Sequence, residues 1–305
     1  MADENQDRPA KAELAKLTEQ VTASFQRTPS PRTRQVLVAL VRHLHAFAQD
    51  VALTKEEWST AIDFLTRTGQ ACTLTRQEFI LLSDVLGLSM LTEIIAEDGA
   101  VGDATEATVL GPFHMTQSPV RQLGTSTEVA SEAAQILVYG QVRSSTGTPL
   151  AGAAADIWQA DDDGFYDVQQ PEQVPPGSGR GLFTCDEDGW FYFRTVPPAP
   201  YPIPTDGPVG ELLAASQRHP YRPAHIHLLV TAPQHDSLTT HIFLGGSPYL
   251  NSDAVFAVRP SLIRAPTTSN DTDLLRCFPD AAAGSTSLRI DVVLRAAENA
   301  VDVAT

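Results

Sequence analysis

The stretch around which this chain is organised is Arg222-Pro223-Ala224-His225-Ile226-His227-Leu228-Leu229-Val230. Its second half is apolar apart from the two histidines, a pattern that predicts a buried β-strand. Side chains alternate between the faces of a strand, so His225 and His227 are expected to point one way and Ile226 the other. Their Cα atoms would lie roughly 6.6–7 Å apart, which lets two imidazoles converge on one metal ion. Partly buried, hydrogen-bonded histidines give the same pattern, so the metal interpretation depends on the rest of the chain.

The bulk composition describes an ordinary globular protein. The chain has 305 residues, of which 42% are hydrophobic and 19% charged, enough for about two domains and a sizeable core. A net charge of −16 opposes binding to nucleic acid or to an anionic membrane surface. Cys72, Cys185 and Cys277 have no paired or zinc-type spacing, and no apolar signal or membrane-spanning run is present. We therefore expect a cytoplasmic protein with reduced thiols.

The N-terminal third, from about residue 10 to residue 99, carries helical patterns. Apolar residues recur every three to four positions across residues 36–47, as on one face of an amphipathic helix. Thr54 and Glu57 have the spacing of a capping box that opens a further helix, and Gly87 predicts a break in a later one. The apolar face is larger than so short a region can bury alone, so we expect another subunit to cover it.

The sequence changes character between residues 101 and 119, where Gly, Thr and Pro appear and the helical periodicity fades. We place the domain boundary here, with a helical domain at 1–105 and a catalytic domain at 106–305. Short β-rich segments separated by Pro- and Gly-rich loops then favour a mainly antiparallel β-sandwich over a βαβ fold, giving an α+β protein. The predicted strands are 136–142, 154–159, 182–184, 190–194, 225–231, 239–244 and 288–294. The predicted long loops include 171–180 and 196–210.

Two loops carry further candidate site residues. Tyr201 lies in a proline-rich segment whose fixed φ angles would hold its side chain in place, although a rigid surface turn gives the same pattern. Tyr166 follows the acidic run 161–163, which lacks the closing Glu of an EF-hand and is therefore interpreted as a solvated acidic turn.

Taken together, these stretches resemble the intradiol ring-cleavage dioxygenases. The most specific segments are Asp-Ile-Trp-Gln-Ala at 156–160 with Tyr166 beyond it, Tyr-Pro-Ile-Pro-Thr-Asp-Gly-Pro-Val-Gly at 201–210, and Arg-Pro-Ala-His-Ile-His at 222–227. The resemblance covers the β-rich domain and extends into the helical one. It implies one non-haem Fe(III) ion per subunit, held by Tyr166, Tyr201, His225 and His227.

This ligand set is chemically consistent, because phenolate is a hard anionic donor suited to a trivalent cation and imidazole also suits iron. The resemblance implies that an aromatic diol and O2 are the substrates, that the diol displaces Tyr201, and that the ring opens between its two hydroxylated carbons. Arg222 would offer positive charge to the electron-rich substrate, so Tyr201 and Arg222 are the predicted catalytic residues. No organic cofactor is expected.

Several segments, namely 80–90, 109–113, 201–210 and 248–256, resemble the hydroxyquinol-cleaving branch of the family more than the catechol-cleaving branch. The expected reaction converts benzene-1,2,4-triol to 3-hydroxy-cis,cis-muconate or maleylacetate in aromatic catabolism. The resemblance implies a largely apolar substrate pocket. Its predicted residues are Leu81, Asp84, Val109, Leu110, Gly111, Pro112, Phe113, Ile203, Pro204, Arg222, His241 and Val255.

Two of these residues have alternative interpretations. Asp84 is the only carboxylate of the set, so we predict that it accepts a hydrogen bond from the third hydroxyl; the alternative is that it braces its own helix. His241 stands where catechol-cleaving members commonly carry glutamine. It could form a hydrogen bond, change the local charge or simply pack, and it is not counted as a metal ligand.

Other functions remain as alternatives. A catechol or substituted-catechol 1,2-dioxygenase would use the same chemistry. A cupin-like metalloenzyme also places His-x-His on a strand, but it needs a Glu shortly after the histidines, and residues 228–232 contain none. A non-catalytic β-sandwich binding protein would not require two tyrosines and two histidines together. The family is typically dimeric through its N-terminal helices, often with bound lipid, so we expect a homodimer with phospholipid as a candidate ligand there.

Overall fold

The computed structural model describes residues 7–73, 76–97, 104–114, 118–128, 135–268 and 271–297. The chain divides into two compact units, with the division after Arg67. The first unit is helical, and Thr54 and Glu57 form the predicted capping box through two reciprocal hydrogen bonds of 2.9 and 3.2 Å. The helices that begin in this unit are α1 (Asp7–Ser24), α2 (Pro31–Asp50) and α3 (Lys55–Gln70).

The helices of the first unit leave much apolar surface exposed. On α2, Leu40, Leu44 and Phe47 are 51%, 55% and 55% exposed, and Trp58 on α3 is 58% exposed. The described side chains of α2 include no buried one. A continuous apolar face of this kind is typical of a surface that contacts another molecule.

The second unit contains the strands and further helices. Two of these helices are separated at Gly87, where the sequence predicted a break. The helices are α4 (Glu78–Val85), α5 (Leu88–Glu97), α6 (Pro208–Ala215) and α7 (Thr272–Cys277). Among the described helices, none is by itself long and apolar enough to cross a membrane. α4 and α5 reach that length and composition only as a pair, across a bend of 71°.

The strands of the second unit form two larger sheets and one small one. The strands are β1 (Ile136–Ser144), β2 (Ala154–Gln159), β3 (Arg180–Thr184), β4 (Trp190–Thr195), β5 (Tyr201–Pro202), β6 (Tyr221–Arg222), β7 (His225–Thr231), β8 (Leu238–Leu244), β9 (Ile263–Arg264), β10 (Ser287–Arg289) and β11 (Val292–Leu294). The larger sheets have the orders β10-β1-β11, with β4 also paired to β1, and β3-β2-β7-β8-β9. The small sheet pairs β5 with β6.

Both larger sheets are mixed. β1 pairs in parallel with β10 and β11 but antiparallel with β4, and β8 pairs in parallel with β9 within an otherwise antiparallel sheet. The expected order, a helical N-terminal region followed by a sheet-rich region, is confirmed. The mainly antiparallel sandwich remains a prediction.

Two segments differ from the sequence-based expectation. The segment 288–294 was expected to be one strand but forms β10 and β11, because the carboxylate of Asp291 accepts the backbone N–H of Gln141 at 3.2 Å and interrupts the ladder. The segment 196–210 was expected to be a loop but contains β5 and the start of α6. Pro208 occupies the first turn of α6, where its missing N–H costs no helical hydrogen bond.

The main hydrophobic cluster contains inward side chains from both larger sheets, including Phe191 and Phe193 from β4 and Ile226 and Leu228 from β7. Complete burial of one such side chain contributes about 1.5–3 kcal/mol. Since Ile226 faces this cluster, alternation along β7 directs His225 and His227 to the opposite, outer face of the five-stranded sheet. The face assignment made from the sequence is therefore confirmed.

Candidate active site

One row of side chains crosses four strands on the outer face of the five-stranded sheet. The register pairs Arg180 on β3 with Trp158 on β2, Trp158 with His227 on β7, and His227 with His241 on β8. The Trp158 and His227 ring centroids lie 4.7 Å apart with nearly parallel planes, and those of His227 and His241 lie 4.1 Å apart. The backbone ladder therefore sets the lateral spacing of the His227 and His241 imidazoles.

Four potential donor atoms meet at this face. His225 Nε2 lies 3.1 Å from His227 Nε2, and His227 Nε2 lies 3.1 Å from Tyr166 Oη. Tyr166 Oη in turn lies 3.3 Å from the Oη of Tyr201, a residue 35 positions further along the chain. All four side chains are buried. The structure thus brings together the four residues that the sequence analysis proposed as metal ligands.

Tyr166 is held in place by a buried ion pair. The next residue, Asp167, accepts a hydrogen bond from Arg180 Nε at 2.8 Å, and its second oxygen accepts the Gly177 N–H at 2.8 Å. Arg180 also donates to the carbonyl of Phe113 at 2.8 Å, and the Phe113 ring stacks on Tyr166 with centroids 4.5 Å apart. Buried charges persist where they are paired and hydrogen-bonded in this way. The pair therefore joins the loop of Tyr166 to the segment that contains Phe113.

Tyr201 is held by the two-stranded sheet, in which it is the register partner of Arg222. The loop before Tyr166 is tied to the same region, because the Ala199 N–H donates to the Asp161 carbonyl at 2.9 Å. Asp161 Oδ1 also accepts the N–H of Asp163 at 3.0 Å, as in an Asx turn. These bonds bring together two loops whose proximity the sequence did not indicate.

The hydrogen bonds of the two histidines differ. His225 Nδ1 lies 2.7 Å from the carbonyl oxygen of Pro223, which can only accept, so Nδ1 carries the proton and Nε2 presents a lone pair. His227 Nδ1 is buried and, among the described residues, has no hydrogen-bond partner. Gly111 lies against the same ring, where a Cβ atom would come 2.9 Å from His227 Cε1. Its φ of +76° also favours glycine, so this position has little room for a side chain.

Burial determines the charge states of these groups. It lowers the pKa of His225 and His227 well below 6.5, and neighbouring positive charge from Arg222 lowers it further, so both imidazoles are neutral at neutral pH. Burial also raises the pKa of Tyr166 well above 10, with a further contribution from Tyr201. The phenolate of Tyr166 therefore requires a cation beside it.

The donor set fits the ferric ion that the sequence resemblance implies. Two neutral imidazole nitrogens and two phenol oxygens converge in a buried pocket, and a trivalent cation would stabilise the phenolates that burial alone disfavours. This combination of hard oxygen donors with imidazole suits iron better than zinc or calcium.

His241 belongs to the same cluster, since ring nitrogens of His225, His227 and His241 all lie within 4.8 Å of one another. Its Nδ1 is hydrogen-bonded to Thr108 Oγ1, and its Nε2 lies 3.4 Å from both terminal nitrogens of Arg222. Arginine can only donate, so Nδ1 carries the proton of His241 and the lone pair of Nε2 faces Arg222. That His241 is no metal ligand remains a prediction.

Arg222 is buried and carries the positive charge of the site. Its Nε donates to Asp253 Oδ1 at 3.1 Å, and Asp253 also accepts the N–H of Ala257 at 3.0 Å. Burial opposes the charge, but the attraction of Asp253 outweighs it, so the pKa of Arg222 is raised and the group stays ionised. Arg222 Nη1 also lies 3.3 Å from His225 Nε2.

Several supporting residues were missed by the sequence analysis. Asp253 had a usable signal, because it is the single carboxylate in the segment 248–256. The sequence contains no such signal for Arg180, Asp167 or Thr108, because their roles depend on contacts between segments distant in the chain.

A narrow cavity lies beside the donor atoms. In the described part of the chain, its lining residues are Leu81, Asp84, Gly111, Pro112, Phe113, Tyr201, Ile203, Pro204, Arg222 and Val255. A wider cavity of about 570 Å³ adjoins it. It shares with the narrow one the residues Leu81, Pro112, Phe113, Ile203 and Pro204.

Three predicted pocket residues do not line the narrow cavity. Val109 is buried in the main hydrophobic cluster, Leu110 is 43% exposed, and His241 lies against Arg222 and His227. All the other predicted substrate-binding residues line the narrow cavity.

Asp84 is the carboxylate of the narrow cavity. The side chain is buried, and its Oδ1 accepts no hydrogen bond from the residues that the structure describes. Burial raises the pKa of Asp84, while a hydrogen bond from Ser89 and the charge of Arg222 partly offset this effect. A buried acceptor without a partner costs roughly 1–3 kcal/mol, so this oxygen is suited to accept a hydrogen bond from a bound molecule.

Two family profiles match this chain. A profile described as "Dioxygenase" matches residues 109–296, and one described as "Catechol dioxygenase N terminus" matches residues 30–103. The 6-chlorohydroxyquinol 1,2-dioxygenase of Cupriavidus pinatubonensis is 52% identical over 247 residues, which cover 81% of this chain and 89% of that relative.

Solved structures agree with these matches. Hydroxyquinol 1,2-dioxygenase from Pseudomonas putida is similar with a TM-score of 0.86 and 44% identity, covering 94% of this chain and 99% of that one. Catechol 1,2-dioxygenase from an Acinetobacter species has a TM-score of 0.76 and 27% identity, covering 92% and 91%. With the buried tyrosine and histidine cluster, these similarities show that the chain belongs to the intradiol ring-cleavage dioxygenase family and is an enzyme of that class.

Proposed function

We propose that this enzyme opens the ring of hydroxyquinol, benzene-1,2,4-triol, between its two adjacent hydroxylated carbons, giving 3-hydroxy-cis,cis-muconate or maleylacetate. The observation that carries the proposal is the buried Oδ1 of Asp84 in the narrow cavity beside the donor atoms, which has no hydrogen-bond partner among the described residues. The third hydroxyl, which catechol lacks, would donate to this oxygen. Relatives named for hydroxyquinol and chlorohydroxyquinol, at 44% and 52% identity against 27% and 37% for two catechol 1,2-dioxygenases, support the same choice.

The proposed cofactor is one non-haem Fe(III) ion per subunit, held by Tyr166, Tyr201, His225 and His227. When bound, ferric iron supplies Lewis acidity that favours the ionised diol and withdraws electron density from its ring. The phenolates of Tyr166 and Tyr201 would offset two of the three positive charges of this ion.

The side chains of the chain would then act on the diol directly. Tyr201 Oη would accept one of the two diol protons as the substrate displaces it. Arg222, kept ionised by Asp253, would place a permanent positive charge beside the ring as negative charge develops, in a pocket where little water screens it. Phe113 and Ile203 would enclose the ring and exclude water.

The alternative function is the cleavage of catechol or a substituted catechol. It is supported by the hydroxyl of Ser89 on α5, which partly offsets the raised pKa of Asp84 and would make this carboxylate a brace between α4 and α5. The remaining site residues would act in the same way on either diol.

Oxygen consumption by the iron-loaded protein, with hydroxyquinol and catechol compared side by side, tests the proposal. We expect kcat/KM for hydroxyquinol to be at least about tenfold higher, the effect of one unsatisfied buried hydrogen-bonding group. A preference for catechol would reject the substrate assignment and leave the alternative. No consumption with either substrate, in protein shown to contain ferric iron, would reject both.

We also propose the assembly that the family suggests, a cytoplasmic homodimer through the N-terminal helices with phospholipid bound there. The exposed Leu40, Leu44 and Phe47 on α2 support it. A monomeric mass by light scattering would contradict the dimer, and the absence of lipid in an organic extract would contradict the bound phospholipid.

We also propose two features of the architecture: a functional boundary near residue 105, between helical and catalytic domains, and a sandwich formed by the two larger sheets. The main hydrophobic cluster, which draws side chains from both sheets, supports the sandwich.

A further inference from the structure

Helix α4 forms one wall of the narrow cavity, to which it contributes Leu81 and Asp84. It has only eight residues, and a helix of two turns has little stability of its own. Its position therefore depends on what it contacts. Both of its ends are tied by charged side chains to other walls of the cavity.

The N-terminal end is tied through Glu78, which is fully buried. Its Oε1 accepts the Val209 N–H at 3.1 Å, in the first turn of α6, and its Oε2 accepts a hydrogen bond from Arg76 Nε at 2.9 Å. A carboxylate at a helix N-terminus satisfies a backbone N–H that has no partner within the helix. Gly207 provides the room, because a Cβ there would lie 2.5 Å from Glu78 Oε1.

This tie reaches the loop wall of the cavity. Arg76 also donates from Nη1 to Asp206 at 2.9 Å, so both partners of Glu78 are linked to residues 206–209. That segment begins two residues after Pro204, which lines the narrow cavity together with Ile203. The N-terminal tie therefore couples α4 to the Ile203–Pro204 wall.

The C-terminal end is tied through Arg218. Its Nη1 donates to the carbonyl of Val85 at 2.7 Å, and its Nη2 donates to the carbonyl of Ala254 at 3.0 Å. Val85 directly follows Asp84, and Ala254 directly precedes Val255, so one guanidinium joins the backbone of two cavity walls. Carbonyls at a helix C-terminus lack partners within the helix, and a cation there is favourable.

We propose that Glu78 and Arg218 are positioning residues for substrate selection, which hold α4 so that Asp84 Oδ1 meets the third hydroxyl of the triol. The inference rests on the proposed function. Among the described residues, neither side chain lines the narrow cavity, although Glu78 lines the wider cavity beside it. A hydrogen bond weakens within a few tenths of an ångström beyond its normal length, so a small shift of α4 weakens triol binding. Catechol, without the third hydroxyl, is affected much less.

The main test compares Arg218→Met with wild type in the full-length, iron-loaded enzyme, measuring kcat and KM for hydroxyquinol and catechol. We expect KM for hydroxyquinol to rise about tenfold while KM for catechol stays within about twofold, because only the triol uses Asp84. Iron content and the visible tyrosinate-to-iron absorption should be unchanged, since the donors lie on β7, on β5 and on the loop of Tyr166. Arg218→Lys should recover part of the selectivity, because an ammonium group can still donate to one carbonyl.

A second variant keeps the test independent of any folding defect in the first. Glu78→Gln preserves an acceptor for Val209 but removes the charge that pairs with Arg76, so we expect a smaller shift in the same direction. The matched control is Arg276→Met, which removes an arginine paired with Asp186 and Asp188 elsewhere in the second unit. Its selectivity should equal that of wild type.

Two results would overturn the inference: an unchanged hydroxyquinol-to-catechol ratio in both Arg218→Met and Glu78→Gln, or equal losses for the two substrates. The wild-type ratio tests the proposed function separately. A wild-type enzyme without preference for hydroxyquinol rejects the substrate assignment. A wild-type enzyme with that preference, retained in both variants, rejects only the positioning role.

Discussion

Two walls of the candidate active site are built differently. The donor wall consists of Tyr166, Tyr201, His225 and His227. The histidines lie on the five-stranded sheet, Tyr201 lies on the two-stranded sheet, and a buried ion pair holds the loop of Tyr166 to β3. The selecting wall consists of α4 with Leu81 and Asp84. It is held at its ends by side-chain bonds from Glu78 and Arg218.

The difference indicates that metal binding and substrate preference can vary separately. A sheet register cannot shift slightly, because a slip by one residue moves every side chain to the other face. A short helix held by a few side chains can shift by fractions of an ångström. We therefore expect changes in the donor wall to abolish the metal centre, and changes in the selecting wall to alter substrate preference while the centre stays intact.

The largest effect is expected from Tyr166→Phe in the donor wall. Removal of a proposed metal ligand should lower kcat/KM for both diols by about a hundredfold or more, because even residues that only orient a ligand change metal affinity 10–100-fold. Visible absorption and iron content measure the metal centre directly. Unchanged colour and iron content would refute the ligand assignment of Tyr166.

Arg180→Met tests the support beneath the donor wall. It leaves the buried carboxylate of Asp167 without its cation, so the free energy of unfolding should fall by about 3–5 kcal/mol in urea denaturation. The control is Arg276→Met, whose ion pairs are largely exposed and should contribute no more than about 1 kcal/mol. Equal effects of the two substitutions would contradict the role of the buried pair.

Asp84→Ala tests the selecting wall. The hydroxyquinol-to-catechol ratio of kcat/KM should fall about tenfold, since the third hydroxyl loses its acceptor, while iron content stays at the wild-type level. Ser89→Ala serves as the comparison, because it removes the hydroxyl that would let Asp84 brace α4 against α5, together with the 2.9 Å hydrogen bond from Ser89 to Ser83. An Asp84→Ala enzyme with the wild-type ratio would rule out the proposed hydrogen bond.

The smallest effect concerns the pH dependence of stability. Because the pKa of Asp84 is raised by burial, the unfolded chain releases this proton at lower pH than the folded one, and ionisation of Asp84 destabilises the fold as pH rises above 3.8. Asp84→Asn should therefore be more stable than wild type at neutral pH, with a gain that disappears as pH falls toward 3.8. Thermal unfolding across this pH range measures the gain in stability. A gain independent of pH would show that the ionisation of Asp84 is not its cause.

Much of the donor wall was predictable because its information is local. Alternation along one strand was enough to direct His225 and His227 to one face, and the histidine, tyrosine and proline motifs indicated the remaining donors through the family resemblance. Asp253 could have been found as the single acid of its segment. The sequence could not predict the pairing of Arg180 with Asp167, which are 13 residues apart, because nothing in their own segments indicates contact. The same holds for Glu78 and Val209, which are 131 residues apart.

The sequence by itself therefore determined the helical and sheet-rich order and the orientation of the histidine pair, because these follow from side-chain periodicity. The proposed metal ligands followed from the family resemblance. The tertiary structure decided which strands pair in parallel, that Tyr201 lies beside Arg222, and how α4 is held against the cavity. These depend on contacts between distant segments, where the free energy of burying and pairing groups outweighs local preference.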